Sequence, residues 1–320
     1  MPIVKSSFTT PLFFRNGHIN TVYRQLVMRE TNHYNRKRIM TWDHDFIDLD
    51  FSTVNSNQLV ILIHGLEGSS ESNYVLSTSK VLNAAGYDTV SLNLRGCSGE
   101  DNLLLSTYHS GKTDDVDFVI NHILENYNYE NIMIVGYSLG GNLTLKYFGE
   151  YDTPTQVSCG VAISVPIDLE SSCQEMSKPK NFFYMARFLK SLRSKVIEKS
   201  RKYPNFNVNL KALLKARSFE EFDELYTAPV FGFSSAQDYW KKASSKQYLP
   251  KIQKPTLLIT SKDDPFLTEE CYPYKEAMNS KKFYLEVTKY GGHVAFLTDF
   301  STKKTKWLEN RILHFLKDNS

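Results

Sequence analysis

The run Gly136-Tyr137-Ser138-Leu139-Gly140 sets one serine between two glycines, each two residues away. Before it, Ile132–Val135 is short, uncharged and apolar, the composition of a buried strand. After it, Leu139–Phe148 has Leu139, Leu143 and Phe148 near one face of a helix. A strand-to-helix turn made by a single residue strains that residue and crowds the positions two away, where only small residues fit. Gly136 and Gly140 meet that need, and Gly141 lets the helix pack closely. The chemistry in prospect is nucleophilic. Ser138 Oγ would stand at the C-terminal end of a sheet, with the positive end of a helix dipole behind it.

A serine hydroxyl is a poor nucleophile until a base takes its proton. The sequence holds eight histidines, among which His122 and His314 lie in helical runs. His293 differs, because it follows the last expected strand and a Gly291-Gly292 pair, on a loop from which an imidazole can swing toward the elbow. A base needs an acid to fix its tautomer and stabilise the imidazolium. "LLITSKDDPFL", residues 257–267, is a strand followed by Asp263 and Asp264, and gives the chain order Ser, Asp, His. Either aspartate could serve. Asp264 is favoured because Pro265 restrains it toward extended backbone, which leaves Asp263 as a turn residue. "HGLEGSS" closes another buried strand, and its glycines free the backbone to turn an N–H inward. The expected oxyanion donors are the N–H groups of Leu66 and of Leu139, the residue after the nucleophile. His64 is expected to order this loop rather than to ionise. Water would deacylate the serine, so no cofactor and no metal is implied.

These residues need a scaffold. Runs at Leu59–Ile63, Thr89–Leu94, Ile132–Val135, Cys159–Val165, Leu257–Thr260 and Phe283–Val287 read as strands. Helical runs at Tyr74–Ala85, Val116–Leu124 and Leu139–Phe148 alternate with them, and another at 303–316 closes the chain. Such alternation predicts an α/β fold with a mainly parallel sheet covered on both faces. Residues 1–36 read as an irregular arm wrapped on the core by aromatic anchors. Arg38–Trp42 and Phe46–Phe51 read as a hairpin, with Asp48 and Asp50 on the solvent face of an edge strand. Asp114, Asp115 and Asp117 are expected to favour a helix N-terminus. The organisation expected is a core made of residues 1–166 and 250–320, interrupted by a helical cap at 167–249. Within the cap, Lys178–Arg217 carries twelve Lys or Arg and a single acid, Glu198. Phe182, Met185, Leu189, Leu192 and Val196 fall at helical spacing there, with a basic face opposite. That face is either simply solvated or a contact for anionic lipid surfaces or acidic substrates.

The 320 residues are 41% hydrophobic and 23% charged, with a net charge of +3, which gives no global field for nucleic acid. Four scattered cysteines and a start without an apolar signal-like core lead to the expectation of a cytoplasmic protein with reduced thiols.

Together, Asn16-x-His18-x-x-Thr21, "DFIDLDF", "HGLEGSS", "NLRGCSGE", "YHSGKTDD", "GYSLGGN", "YTAPVFGFSSAQDYW", "SKDDPF" and "GGHVAF" resemble the YheT-like α/β-hydrolases, AB-hydrolase group four, over nearly the whole chain. The resemblance implies the α/β-hydrolase fold with a helical cap inserted before the last two strands. It implies Ser138, Asp264 and His293 as a catalytic triad. It also implies hydrolysis of carboxylic or lipid-type esters, or acyl transfer if an alcohol replaces water.

Overall fold

The computed structural model describes residues 2–27, 29–203, 208–300 and 306–320. Among them, nine strands form one sheet: β1 (Ile3–Val4), β2 (Asn35–Met40), β3 (Phe46–Ser52), β4 (Gln58–Ile63), β5 (Asp88–Asn93), β6 (Asn131–Tyr137), β7 (Val157–Ile163), β8 (Thr256–Ser261) and β9 (Phe283–Thr288). Their order is β1-β9-β8-β7-β6-β4-β5-β3-β2. β3 pairs antiparallel with β2 and β5, and every other pairing is parallel. The central strands are continuous apolar runs because both of their faces are covered. Leu59, Ile61 and Ile63 of β4 join a core with Val116, Val119 and Leu143. Val60 and Leu62 point the other way, into a core with Val75, Leu82, Leu308 and Ile312.

The helices that matter for the site are α1 (Gly17–Val27), α2 (Asn73–Ala84), α3 (Thr113–Asn126), α4 (Leu139–Glu150), α5 (Leu169–Met176) and α6 (Phe182–Lys202). The chain closes with the helix Trp307–Asn319. The expected helix start at 303 lies outside the described residues. The cap region lies between β7 and β8, and all of its regular elements among the described residues are helical. Met185, Leu189 and Val196 of α6 pack inward with Leu213, Phe222 and Phe266, as their spacing predicts. Phe182 departs from that face and is 64% exposed. No helix among the described residues is long and apolar enough to cross a membrane.

Three expectations need correction. The arm is not irregular, because β1 pairs in parallel with β9 and residues 17–27 form α1. α1 escapes a periodicity reading because its buried face is Gly17, Asn20, Thr21 and Arg24, while Val22 and Leu26 are exposed. Second, β3 is not an edge strand, and Asp48 and Asp50 are buried because arginines of its neighbour β2 lie over them. In register across the pair, Arg38 meets Asp48 at 2.8 Å and Arg36 meets Asp50 at 2.7 Å. Burial opposes ionisation of both carboxyls, but the two guanidiniums hold them below the usual carboxylate range. Third, Asp115 does more than favour a helix start, because it is buried and binds Arg95 at 2.7 Å. Arg95 also reaches Asp43 at 2.8 Å, tying the hairpin turn to α3.

Candidate active site

Ser138 is the single residue between β6 and α4, at φ 52° and ψ −116°. A residue with a Cβ is strained there and persists only where its surroundings fix it. Its N–H donates to Ile163 O at 2.8 Å, and its carbonyl accepts from Asn142 N at 3.0 Å. A Cβ on Gly136 would overlap the Gly140 carbonyl, and one on Gly141 would overlap the Val165 side chain. A Cβ on Gly140 would overlap the carbonyls of Ile63 and His64. The requirement at Gly140 therefore comes from the end of β4 as well as from the elbow.

His293 sits in a tight coil after β9, with Gly292, Val294 and Phe296 at φ 61°, 54° and 49°. Its Nδ1 lies 2.8 Å from Asp264 Oδ2. The other oxygen of Asp264 accepts from Phe266 N at 2.9 Å, which sets the carboxylate plane. With Nδ1–H donated to Asp264, a neutral imidazole keeps Nε2 as an acceptor. The Phe266 ring packs on the imidazole with centroids 4.3 Å apart. Asp263 has a different partner: its Oδ1 accepts from Gly292 N at 2.9 Å. Burial raises the Asp263 pKa. The two adjacent carboxyls thus divide between the ring of His293 and the backbone of the residue before it.

The loop after β4 lies against the elbow, since a Cβ on Gly65 would stand 3.2 Å from Ser138 Cβ. His64 accepts from Leu94 N at 3.1 Å through Nε2, so Nδ1–H donates to Gly65 O at 2.7 Å. Burial lowers its pKa to about 4, which keeps it neutral and suits it to ordering the loop. Leu66, Ser138, Leu139 and His293 line one cavity under the cap. Leu139 opens α4, where first-turn N–H groups lack intrahelical acceptors. Leu169, Met176, Phe188, Val196, Phe219 and Phe222 make much of the cavity lining apolar. Another opening runs between Thr21 and Gln25 of α1 and Tyr184, Arg187 and Ser191 of α6.

α1 supplies support that residue types alone did not reveal. Thr21 Oγ1 accepts the His293 N–H at 2.8 Å and donates to Gly17 O at 2.6 Å. Arg24 donates to Ala295 O at 2.7 Å and pairs with buried Glu309. His18 stacks on Tyr184 of the cap, with ring centroids 5.7 Å apart. The signal was present as Asn16-x-His18-x-x-Thr21, a pattern without chemistry of its own. The cap's basic residues also divide. Lys195 pairs with Glu67 at 2.7 Å, Lys199 is buried against Asp101 at 3.0 Å, and Arg193 donates to Ala216 O. Arg187 and Lys190 are exposed. Among the described residues no group of three or more His, Cys, Asp or Glu is placed to hold a metal ion, and all four cysteines are free.

A mostly parallel sheet, a serine at a strand–helix crease and a histidine–aspartate pair over the same cavity define an α/β-hydrolase. A family model of the alpha/beta hydrolase fold matches residues 58–300. YheT of Escherichia coli K12, which carries the name of an esterase, is 32% identical over 311 residues, spanning 95% of this chain and 91% of that protein. The human phospholipase ABHD3 is 27% identical over 326 residues, spanning 99% of this chain and 80% of that protein. The esterase Pf2001 of Pyrococcus furiosus superposes with a TM-score of 0.61 at 19% identity, covering 89% of this chain and 91% of that one. The chain belongs to the α/β-hydrolase fold family, among its YheT-like members.

Proposed function

We propose that the protein is a serine hydrolase that cleaves carboxylic esters of the acyl or lipid type. The observation that carries this is the 2.8 Å contact of His293 with Asp264, on a loop that shares a cavity with strained Ser138. Ser138 Oγ attacks the acyl carbonyl while His293 Nε2 takes its proton. The N–H groups of Leu66 and Leu139 bind the oxyanion. His293 then gives the proton to the leaving alcohol, and water releases the acyl group by the same steps in reverse. Asp264 holds the productive tautomer throughout.

The apolar cavity wall favours an acyl chain, and relatives named as phospholipase and monoacylglycerol lipase point the same way. A lipid surface is the partner that fits the opening. Leu26 of α1 is 71% exposed and Phe183 of α6 is 83% exposed, and both helices line that opening. The exposed cations Arg187 and Lys190 stand on α6 beside Phe183. Anionic lipid contact thus rests on this rim and not on the whole basic stripe of the cap. Ser138→Ala tests the chemistry. It should cut kcat on p-nitrophenyl esters by ~10⁴–10⁶ with the fold intact. Equal turnover by the variant and the wild type would overturn the assignment.

A further inference from the structure

Glu67 follows Leu66 in the loop after β4, at φ 54° and with its side chain only 6% exposed. Every neighbour of the Leu66 N–H is pinned. Gly65 O, in the same peptide as that N–H, accepts from Gly68 N at 3.0 Å and from His64 Nδ1 at 2.7 Å. Gly65 N donates to Tyr74 OH at 2.9 Å. Glu67 N donates to Tyr108 OH at 2.9 Å, and the same hydroxyl donates to Glu67 Oε1 at 2.7 Å. All of these partners belong to the hydrolase core.

The Glu67 carboxylate also has partners on the cap. Lys195 Nζ donates to Oε1 at 2.7 Å, and the Ser191 hydroxyl, one turn earlier on α6, donates to Oε2. Lys195 also lies 3.1 Å from Cys97 Sγ. Burial pushes that thiol up to about 11, so it offers the ammonium no charge at neutral pH, and the salt bridge of Lys195 is to Glu67. The cap therefore grips the loop through one carboxylate, on the residue next to the proposed oxyanion donor.

We infer that Glu67 is a positioning residue that couples cap helix α6 to the oxyanion loop: Lys195 and Ser191, by holding its carboxylate, complete the alignment of the Leu66 N–H that the core contacts begin. The inference rests on the esterase reading above.

The test is a double-mutant cycle on Glu67→Gln and Lys195→Met, read as kcat and KM on a short soluble ester, with melting curves for each variant. Removal of one oxyanion donor costs ~10²–10³ in kcat, and misalignment of a retained donor costs part of that. Each single variant should lose about tenfold to a hundredfold in kcat, with KM changed less than about threefold. The double variant should fall no further than the worse single one, and Lys195→Arg should recover most of the activity. Losses that multiply in the double variant, losses carried by KM, or a Lys195→Met kcat within about twofold of wild type would reduce the contact to cap packing. If Glu67→Gln fails to fold, Ser191→Ala with Lys195→Met completes the same cycle. A wild-type protein that turns over no ester and leaves Ser138 unreactive toward a fluorophosphonate would overturn the underlying reading instead.

Discussion

Replacing Asp264 by Asn changes one atom and should nearly abolish turnover. Oδ1 of Asp264 accepts from Phe266 N at 2.9 Å, so the new amide keeps its carbonyl there. Its NH₂ then occupies the place of Oδ2, 2.8 Å from His293 Nδ1. A donor facing Nδ1 forces that nitrogen to accept, and the ring proton moves to Nε2. His293 in that tautomer has no lone pair for the Ser138 proton. The loss expected from such inversion is ~10⁴ in kcat, about 5.5 kcal/mol at 1.36 kcal/mol per decade. Asp263→Asn is the matched control. Its carbonyl still accepts from Gly292 N, and its Oδ2 is buried without a hydrogen-bond partner among the described residues. Less than about a tenfold loss is expected there, since a neutral acceptor retains most of a bond worth ~1 kcal/mol. The assay is kcat on p-nitrophenyl butyrate, with melting temperatures to show that both variants fold. A larger loss at Asp263, or an Asp264→Asn enzyme within tenfold of wild type, would refute the division of roles.

Other consequences are equally open to measurement. Thr21→Val keeps the shape but leaves the His293 N–H without its acceptor, at a cost of ~1–3 kcal/mol. A lower urea midpoint and a kcat down about tenfold should result, and unchanged values would remove α1 from the account. Burial depresses His64 to about 4 and His109 to about 3, so both stay neutral in the fold and protonate on unfolding below about 6.5. Their contribution is complete above pH 6.5 and is lost as pH falls, by roughly 2 kcal/mol each at pH 5. Buried Asp223, raised to about 6, acts in the opposite sense, favouring the fold as pH drops from 6 toward 4. Urea midpoints at pH 7 and pH 5 should therefore differ, and His109→Phe should shrink the difference. For the lipid rim, Leu26→Ser with Phe183→Ser should weaken binding to vesicles containing phosphatidylglycerol by ~100-fold, since each side chain is worth ~1.5–3 kcal/mol when buried. Lys190→Gln should cost about fivefold more at low salt. Equal sedimentation of all variants with vesicles would count against the rim.

The sheet and the elbow are legible in the sequence because their causes are local. Buried parallel strands must be apolar on both faces, and one crease residue demands small neighbours. Position in the chain singled out His293 among eight histidines, and Pro265 favoured the aspartate that meets it. Features set by tertiary contact were hidden. α1 buries Asn20, Thr21 and Arg24 while exposing Leu26, the inverse of an amphipathic pattern. Asp48 and Asp50 alternate with apolar residues as solvent-facing groups do, and only the pairing with β2 shows that arginines cover them. Lys195 belongs to a basic run in the sequence, yet it turns inward because Glu67 lies beneath it.

The central claim is that Ser138 is a nucleophile activated by His293. Reaction of the folded protein with a fluorophosphonate, followed by peptide mapping, tests it most directly. The account predicts stoichiometric phosphonylation of Ser138 and rates reduced by several orders of magnitude in His293→Ala and Asp264→Asn. Labelling at any other residue, or a rate at Ser138 that is indifferent to His293, would contradict it.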